Sequence, residues 1–237
     1  MNTFSQSLLS ILVVEDHPFS REALVSMLKR SGFANVDSAE DGQAAIEKLN
    51  NQPIDLVISD INMPNQNGIE LIKAIRTNQT QNSQFTSVIA VTTLSDASTI
   101  SACMTLEVDA FLVKPISIKN ALEKIQLAIS EPRELYQQHL YNDVSTQISL
   151  TPFTKKNTST EQAKIKEVYC EFFVPKSLSE LENGMTLLDD IELSNGSCLL
   201  KAGTKVNQKL LRRLYELSEV ILFENIRVRI DQTDMAI

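Results

Sequence analysis

The apolar run Leu56-Val57-Ile58, extended by Ser59 and ended by Asp60, shows no polar alternation and is of strand length. Such a run reads as a parallel strand buried on both faces, which needs helices on either side of its sheet. Pro64, four residues past Asp60, stops further pairing. Ile11–Val14, Val88–Val91 and Ala110–Val113 are runs of the same kind, and Asn35–Ser38 can form a further short strand. Helical spacing fills the intervals. Ala23, Leu24, Met27 and Leu28 recur within a helix over Phe19–Arg30 that follows Pro18, and Ala45, Ile46 and Leu49 within a second over Ala39–Asn50. Asn67-Gly68 opens a third with Ile69, Leu71, Ile72 and Ile75 inward, and Asp96 caps a fourth to about Leu106. Ile118, Leu122, Ile125 and Ile129 mark a fifth. Strand and helix alternating five times predicts an α/β fold, a five-stranded doubly wound parallel sheet.

Right-handed crossovers bring the carboxyl ends of all such strands to one edge, where ligands of open α/β sheets bind. The first strand delivers Glu15 and Asp16 there, the third Asp60, the fourth Thr92 and the fifth Lys114. Singly, each has an ordinary explanation: a loop-capping aspartate, a strand-end threonine, a solvated lysine. Together they form a set. Three close carboxylates repel unless a cation neutralises them, and oxygen ligands with room for water suit Mg2+. A carboxylate beside that ion is a nucleophile toward a phosphoryl group, with the lysine sharing the transition-state charge and the threonine hydroxyl bonding the product.

The segments ILVVEDHP, SDINMPNQNG, VIAVTT and AFLVKP, in this order and spacing, resemble the receiver domain of two-component response regulators over roughly residues 10–130. The resemblance implies a flavodoxin-like receiver with Asp60 as phosphoacceptor and Mg2+ held by Glu15, Asp16, Asp60 and the backbone carbonyl of Asn62. It implies that Thr92 moves to the phosphoryl oxygen, that Lys114 pairs with it, and that Phe111 is the aromatic switch that turns inward afterwards. Pro115 matches a lysine–proline peptide that is cis in this family. Two positions depart from the pattern: Asn67 stands where an acidic residue often precedes the loop glycine, and Glu107 where a glycine often ends the fourth helix. The implied partners are a sensor histidine kinase or histidine phosphotransfer protein, and an output protein the sequence does not name. A homodimer through the fourth helix, fifth strand and fifth helix is a further option. The chain is then a phosphoacceptor, at most slowly self-dephosphorylating, and not an enzyme in the ordinary sense. A Mg2+-dependent phosphatase on the same type of fold is the competing reading.

Residues 131–167 are polar and read as a helical extension, in which Leu135, Tyr136 and Leu140 prolong the fifth helix or form a short one, followed by a linker. Residues 168–237 read as a small α+β output module. Its expected strands are Met185–Ile191, Cys198–Leu200, Val220–Phe223 and Ile226–Ile230, with turns at Ser194-Asn195-Gly196 and Lys201-Ala202-Gly203 and a helix capped by Asn207. The stretch GMTLLDDIELSNGSCLLKAGTKVNQKLLRRL is similar to a segment associated with HD-GYP proteins. The phosphodiesterase itself is not expected, because its binuclear metal site needs several histidines and the chain has only His17 and His139.

Charge bounds the partners. Residues 1–149 carry 10 lysines and arginines against 17 acidic residues, and residues 150–237 carry 12 against 13. DNA is therefore not the expected partner, although a transcription regulator binding DNA through the C-terminal module is the alternative output. Arg212, Arg213, Arg227 and Arg229 are read as a solvated face in preference to a basic patch. Cys103, Cys170 and Cys198 form no CxxC pair and suit a reducing compartment. Leu8–Val14 is too short to span a bilayer and lacks the basic flank of a signal peptide, so a cytoplasmic protein without a membrane partner is expected.

Overall fold

The computed structural model of the chain describes residues 8–93, 97–130, 134–147, 173–192, 198–218 and 226–229. The chain divides into two compact units, residues 1–150 and 151–237.

In the first unit β1 (Ser10–Val14), β2 (Asn35–Ala39), β3 (Leu56–Asp60), β4 (Ser87–Thr92) and β5 (Ala110–Val113) form one sheet in the order β2-β1-β3-β4-β5. Every pairing is parallel. The intervening helices are α1 (Pro18–Arg30), α2 (Gly42–Asn51), α3 (Gly68–Arg76), α4 (Ala97–Thr105) and α5 (Ile118–Ser130). All residues of β3 and β4 are buried, in keeping with their apolar runs Leu56–Ile58 and Val88–Val91. Ile11, Val13, Leu28, Ile58, Ile89, Leu112 and Ile125 belong to one core cluster.

Local chemistry sets the helix starts. His17 caps α1, accepting from Ser20 N, with Pro18 in the first turn. Asn67 and Glu70 form a reciprocal capping box at α3. α2 begins at Gly42 and not at the expected Ala39. Ala39 is held in β2 opposite Val14, and the cap is Asp41, whose Oδ1 accepts from Ala44 N at 2.8 Å. Asp96, the expected cap of α4, lies outside the described residues.

Past α5, a 3-10 helix at Gln138–Asp143 takes in Leu140 of the expected short helix but leaves Leu135 and Tyr136 before it, and it belongs to the first unit. The expected extension-and-linker segment is thus divided: residues 134–147 lie in the first unit, whereas 148–167 fall outside the described residues.

In the second unit β6 (Phe173–Lys176), β10 (Ile226–Arg229) and β7 (Thr186–Leu187) make an antiparallel sheet, and β8 (Ile191–Glu192) pairs with β9 (Cys198–Leu200). The single strand expected over Met185–Ile191 is two short ones. Between them the aspartates turn to other partners: Asp189 is paired with Arg227, and Asp190 accepts from Lys201 Nζ (2.7 Å) and Ala202 N (2.8 Å). Gly203, at φ +85°, completes the expected turn, where a side chain would be strained. Asn207 Oδ1 accepts from Leu210 N at 2.7 Å, and α6 (Gln208–Ser218) buries Leu210, Leu214 and Leu217. Arg213 is not on a solvated face. It is 1% exposed, while Arg212 pairs with Glu216 along the helix. The Arg229 side chain, the turn at 194–196 and the strand expected over 220–223 lie outside the described residues. Among the described residues no helix is long and apolar enough to cross a membrane.

Candidate functional site

The strand order reverses between β1 and β3, so the crevice at their carboxyl ends is the binding position of this topology. β1 runs directly into Glu15 and Asp16, and β3 ends on Asp60. Carboxylate oxygens of these three residues lie within 4.8 Å of one another. Lys114, one residue past β5, closes the group: its Nζ is 2.7 Å from Asp60 Oδ2 and 3.0 Å from Glu15 Oε2. The backbone aims it, because Lys114 N donates to Thr92 O at 3.0 Å and prolongs the β4–β5 ladder.

Asp60 is 6% exposed, so its orientation is fixed by protein groups and not by bulk water. Ile61 N donates to Oδ1 at 2.7 Å and Asn62 N reaches the same oxygen at 3.4 Å. Burial works against the charged form of Lys114, but its hydrogen bonds to Asp60 and Glu15 outweigh that and hold the ammonium above its ordinary range. Thr92 is buried at the end of β4, next to Val91, which pairs with Asp60. Phe111 is 3% exposed on β5, and the Lys114–Pro115 peptide is cis. Asn62 is exposed in the loop after β3. The sequence-derived set therefore gathers at one edge, with Glu15, Asp16, Asp60 and Lys114 in direct proximity.

Two contributions are not given by the motifs: Arg21 lies outside them, and the contact Gly68 makes is visible only in the fold. Arg21, on α1, donates from one guanidinium nitrogen to Glu15 O (2.6 Å) and Asp16 O (3.1 Å), fixing the backbone that carries both acids. Gly68 opens α3 against the backbone of Asp60 and Ile61, leaving no room for a side chain. An open cleft of about 300 Å³ lies against Glu15 and Lys114, walled by Ser20, Leu24, Met27 and Ile116.

Three oxygen-donor carboxylates beside a single, partly exposed ammonium fit a hard divalent cation such as Mg2+. A five-stranded parallel α/β sheet with an acidic trio and a lysine at its switch point is the class of domain the fold and site define. Residues 11–126 match the family described as response regulator receiver domain, and the chain belongs to that family. It is 35% identical over 121 residues to the probable chemotaxis protein CheY of Rhizobium etli, covering 51% of this chain and 89% of that one. It is 32% identical over 125 residues to the transcriptional regulatory protein PdtaR of Mycobacterium tuberculosis, covering 53% of this chain and only 58% of that relative's length. Among solved structures, the chemotaxis protein CheY4 of Vibrio cholerae aligns with a TM-score of 0.47 and 28% identity over 51% of this chain and 98% of that chain. By the family match and the Rhizobium etli relative, the first unit is the receiver domain of a two-component response regulator.

Proposed function

We propose that Asp60 is the phosphoacceptor. A carboxylate oxygen of Asp60 attacks the phosphorus of a phosphohistidine on a sensor kinase or histidine phosphotransfer protein. The P–N bond breaks as the P–O bond forms, and the electron pair returns to the imidazole. The product is an aspartyl phosphate. Glu15, Asp16, Asp60 and the Asn62 carbonyl would hold Mg2+, which would supply charge neutralisation to the transferring oxygens. Lys114, whose Nζ touches both Asp60 and Glu15, turns to a phosphoryl oxygen as negative charge builds there. Thr92 donates its hydroxyl to the product, and Phe111 and Pro115 belong to the switching element that follows. The contact that carries this reading is the Lys114–Asp60 pair inside the acidic trio, since it places nucleophile and charge stabiliser within one hydrogen bond.

The group is transferred once, to the protein itself, so the chain is a switch and not a turnover enzyme, and it works in the cytoplasm. Phosphorylation adds charge and strong acceptors and biases a two-state element around Thr92 and Phe111. The output is a protein–protein contact made through the non-catalytic second unit. Val113 (37% exposed) and Ile118 (49% exposed), both in the first unit, support a separate contact, self-association through α4, β5 and α5. The DNA-binding alternative draws nothing from Arg213, which is buried, or Arg227, which pairs with Asp189.

Acetyl phosphate with Mg2+ tests this. The wild type takes up one phosphoryl group per chain, and Asp60→Asn takes up none. Equal labelling of Asp60→Asn refutes the acceptor, and steady release of many equivalents of phosphate favours the phosphatase reading.

A further inference from the structure

Asn67 and Glu107, the two positions that depart from the receiver pattern, anchor opposite ends of one contact. Glu107 follows α4 at φ +53°, in the left-handed region that favours glycine. Val108 N reaches back to Cys103 O at 3.1 Å, so the helix ends as if a glycine stood there. The carboxylate of Glu107 is what a glycine lacks. It is buried (2% exposed) and accepts from Tyr136 N (2.9 Å), Gln137 N (2.8 Å) and the Tyr141 hydroxyl (2.6 Å). Residues 134–147 then run across α3. Lys73 Nζ donates to the carbonyls of Asn142 and Val144, each at 2.8 Å, and Asn67 Nδ2 donates to Thr146 O at 2.9 Å. An acidic residue at position 67 can cap α3 as Asn67 does, but it cannot donate that last bond.

Both anchors sit on the moving parts of the proposed switch. Asn67 ends the loop that begins at Asp60, and the next residue, Gly68, is packed against the Asp60 backbone with its N donating to Ile61 O at 3.0 Å. Glu107 ends the helix that follows Thr92 and is stitched through its own carbonyl to Arg76 at the end of α3. The strap is also the route by which the chain leaves the receiver for the second unit.

We propose that residues 134–147 are a strap fastened at Glu107 and Asn67 that is released when Asp60 is phosphorylated, passing the state of the acceptor to the chain beyond it. This rests on Asp60 being the acceptor. A phosphoryl group on Asp60 crowds a loop that Gly68 leaves without slack and draws Thr92 toward it, so both fastenings are disturbed together. Linkage makes the effect reciprocal: loosening the strap favours the phosphorylated form by the same factor.

Hydrogen exchange of the full-length protein, followed by mass spectrometry with and without acetyl phosphate and Mg2+, reads the strap, while intact mass reads the label in the same sample. Peptides within 134–146 are expected to exchange at least about fivefold faster in the labelled protein. Tyr141→Phe and Asn67→Asp, each of which keeps the local packing or cap, are expected to bind beryllofluoride with Mg2+ at least about fivefold more tightly by calorimetry. Unchanged exchange in a labelled sample, or unchanged affinity in both variants, overturns the coupling and leaves the acceptor standing. Absence of label overturns the acceptor and the coupling with it.

Discussion

A methyl group placed on Gly68 would press into the carbonyl oxygen of Asp60 and come within 2.8 Å of Ile61 Cα. The first residue of α3 therefore seats directly on the backbone of the proposed nucleophile. Glycine is needed here for close approach and not for a special turn. Gly68→Ala is expected to destabilise the receiver by about 1–3 kcal/mol, the usual cost of overpacking. It also displaces the Asp60 loop, so the denaturation midpoint and the phosphorylation level fall together. A midpoint unchanged from wild type would show that the loop has slack.

Lys114 links the site to pH. With the folded ammonium held above the ordinary lysine value of 10.5, its stabilising contribution is complete below that value and fades as pH rises through the folded one. In metal-free buffer near neutral pH, Lys114→Met is expected to lose about 1 kcal/mol, because the lysine side chain remains 32% exposed and water screens the pair. The gap between variant and wild type closes at strongly alkaline pH, as denaturation curves at several pH values would reveal. Phosphorylation of the same variant is expected to drop about a hundredfold.

Arg76 is expected to matter more for stability than for signalling. It is 2% exposed and donates to the carbonyls of Gln84 (2.7 Å), Thr86 (2.8 Å), Leu106 (3.0 Å) and Glu107 (3.2 Å), with Asp109 at 3.4 Å. Arg76→Met strands these acceptors and a buried carboxylate, at about 3–5 kcal/mol in urea unfolding. Arg76→Lys recovers little, since an ammonium cannot span the fork that a guanidinium fills.

The receiver sheet and its acidic edge are legible in the sequence because their signals are local. Strands buried on both faces leave unbroken apolar runs, and strand ends then locate Glu15, Asp16, Asp60, Thr92 and Lys114 without knowledge of the packing. Most of the failures come from partners distant in the chain. Ala39 reads as helical until its pairing with Val14 is known. Arg213 reads as a solvated charge on an amphipathic helix, yet it is buried. Glu107 is visible as an odd helix terminator, but its reason lies 29 to 34 residues downstream in Tyr136 and Tyr141. Leu188, Asp189 and Asp190 interrupt a plausible strand because Arg227 and Lys201 claim the aspartates.

The most direct measurement is the position of the label. Protein phosphorylated by acetyl phosphate is reduced with borohydride, which converts an aspartyl phosphate to homoserine, then digested and sequenced by mass spectrometry. Homoserine at position 60, and at no other acidic position, is the predicted result. Modification centred on Asp16 or Glu15 instead, with Asp60 intact, would contradict the assignment of the acceptor.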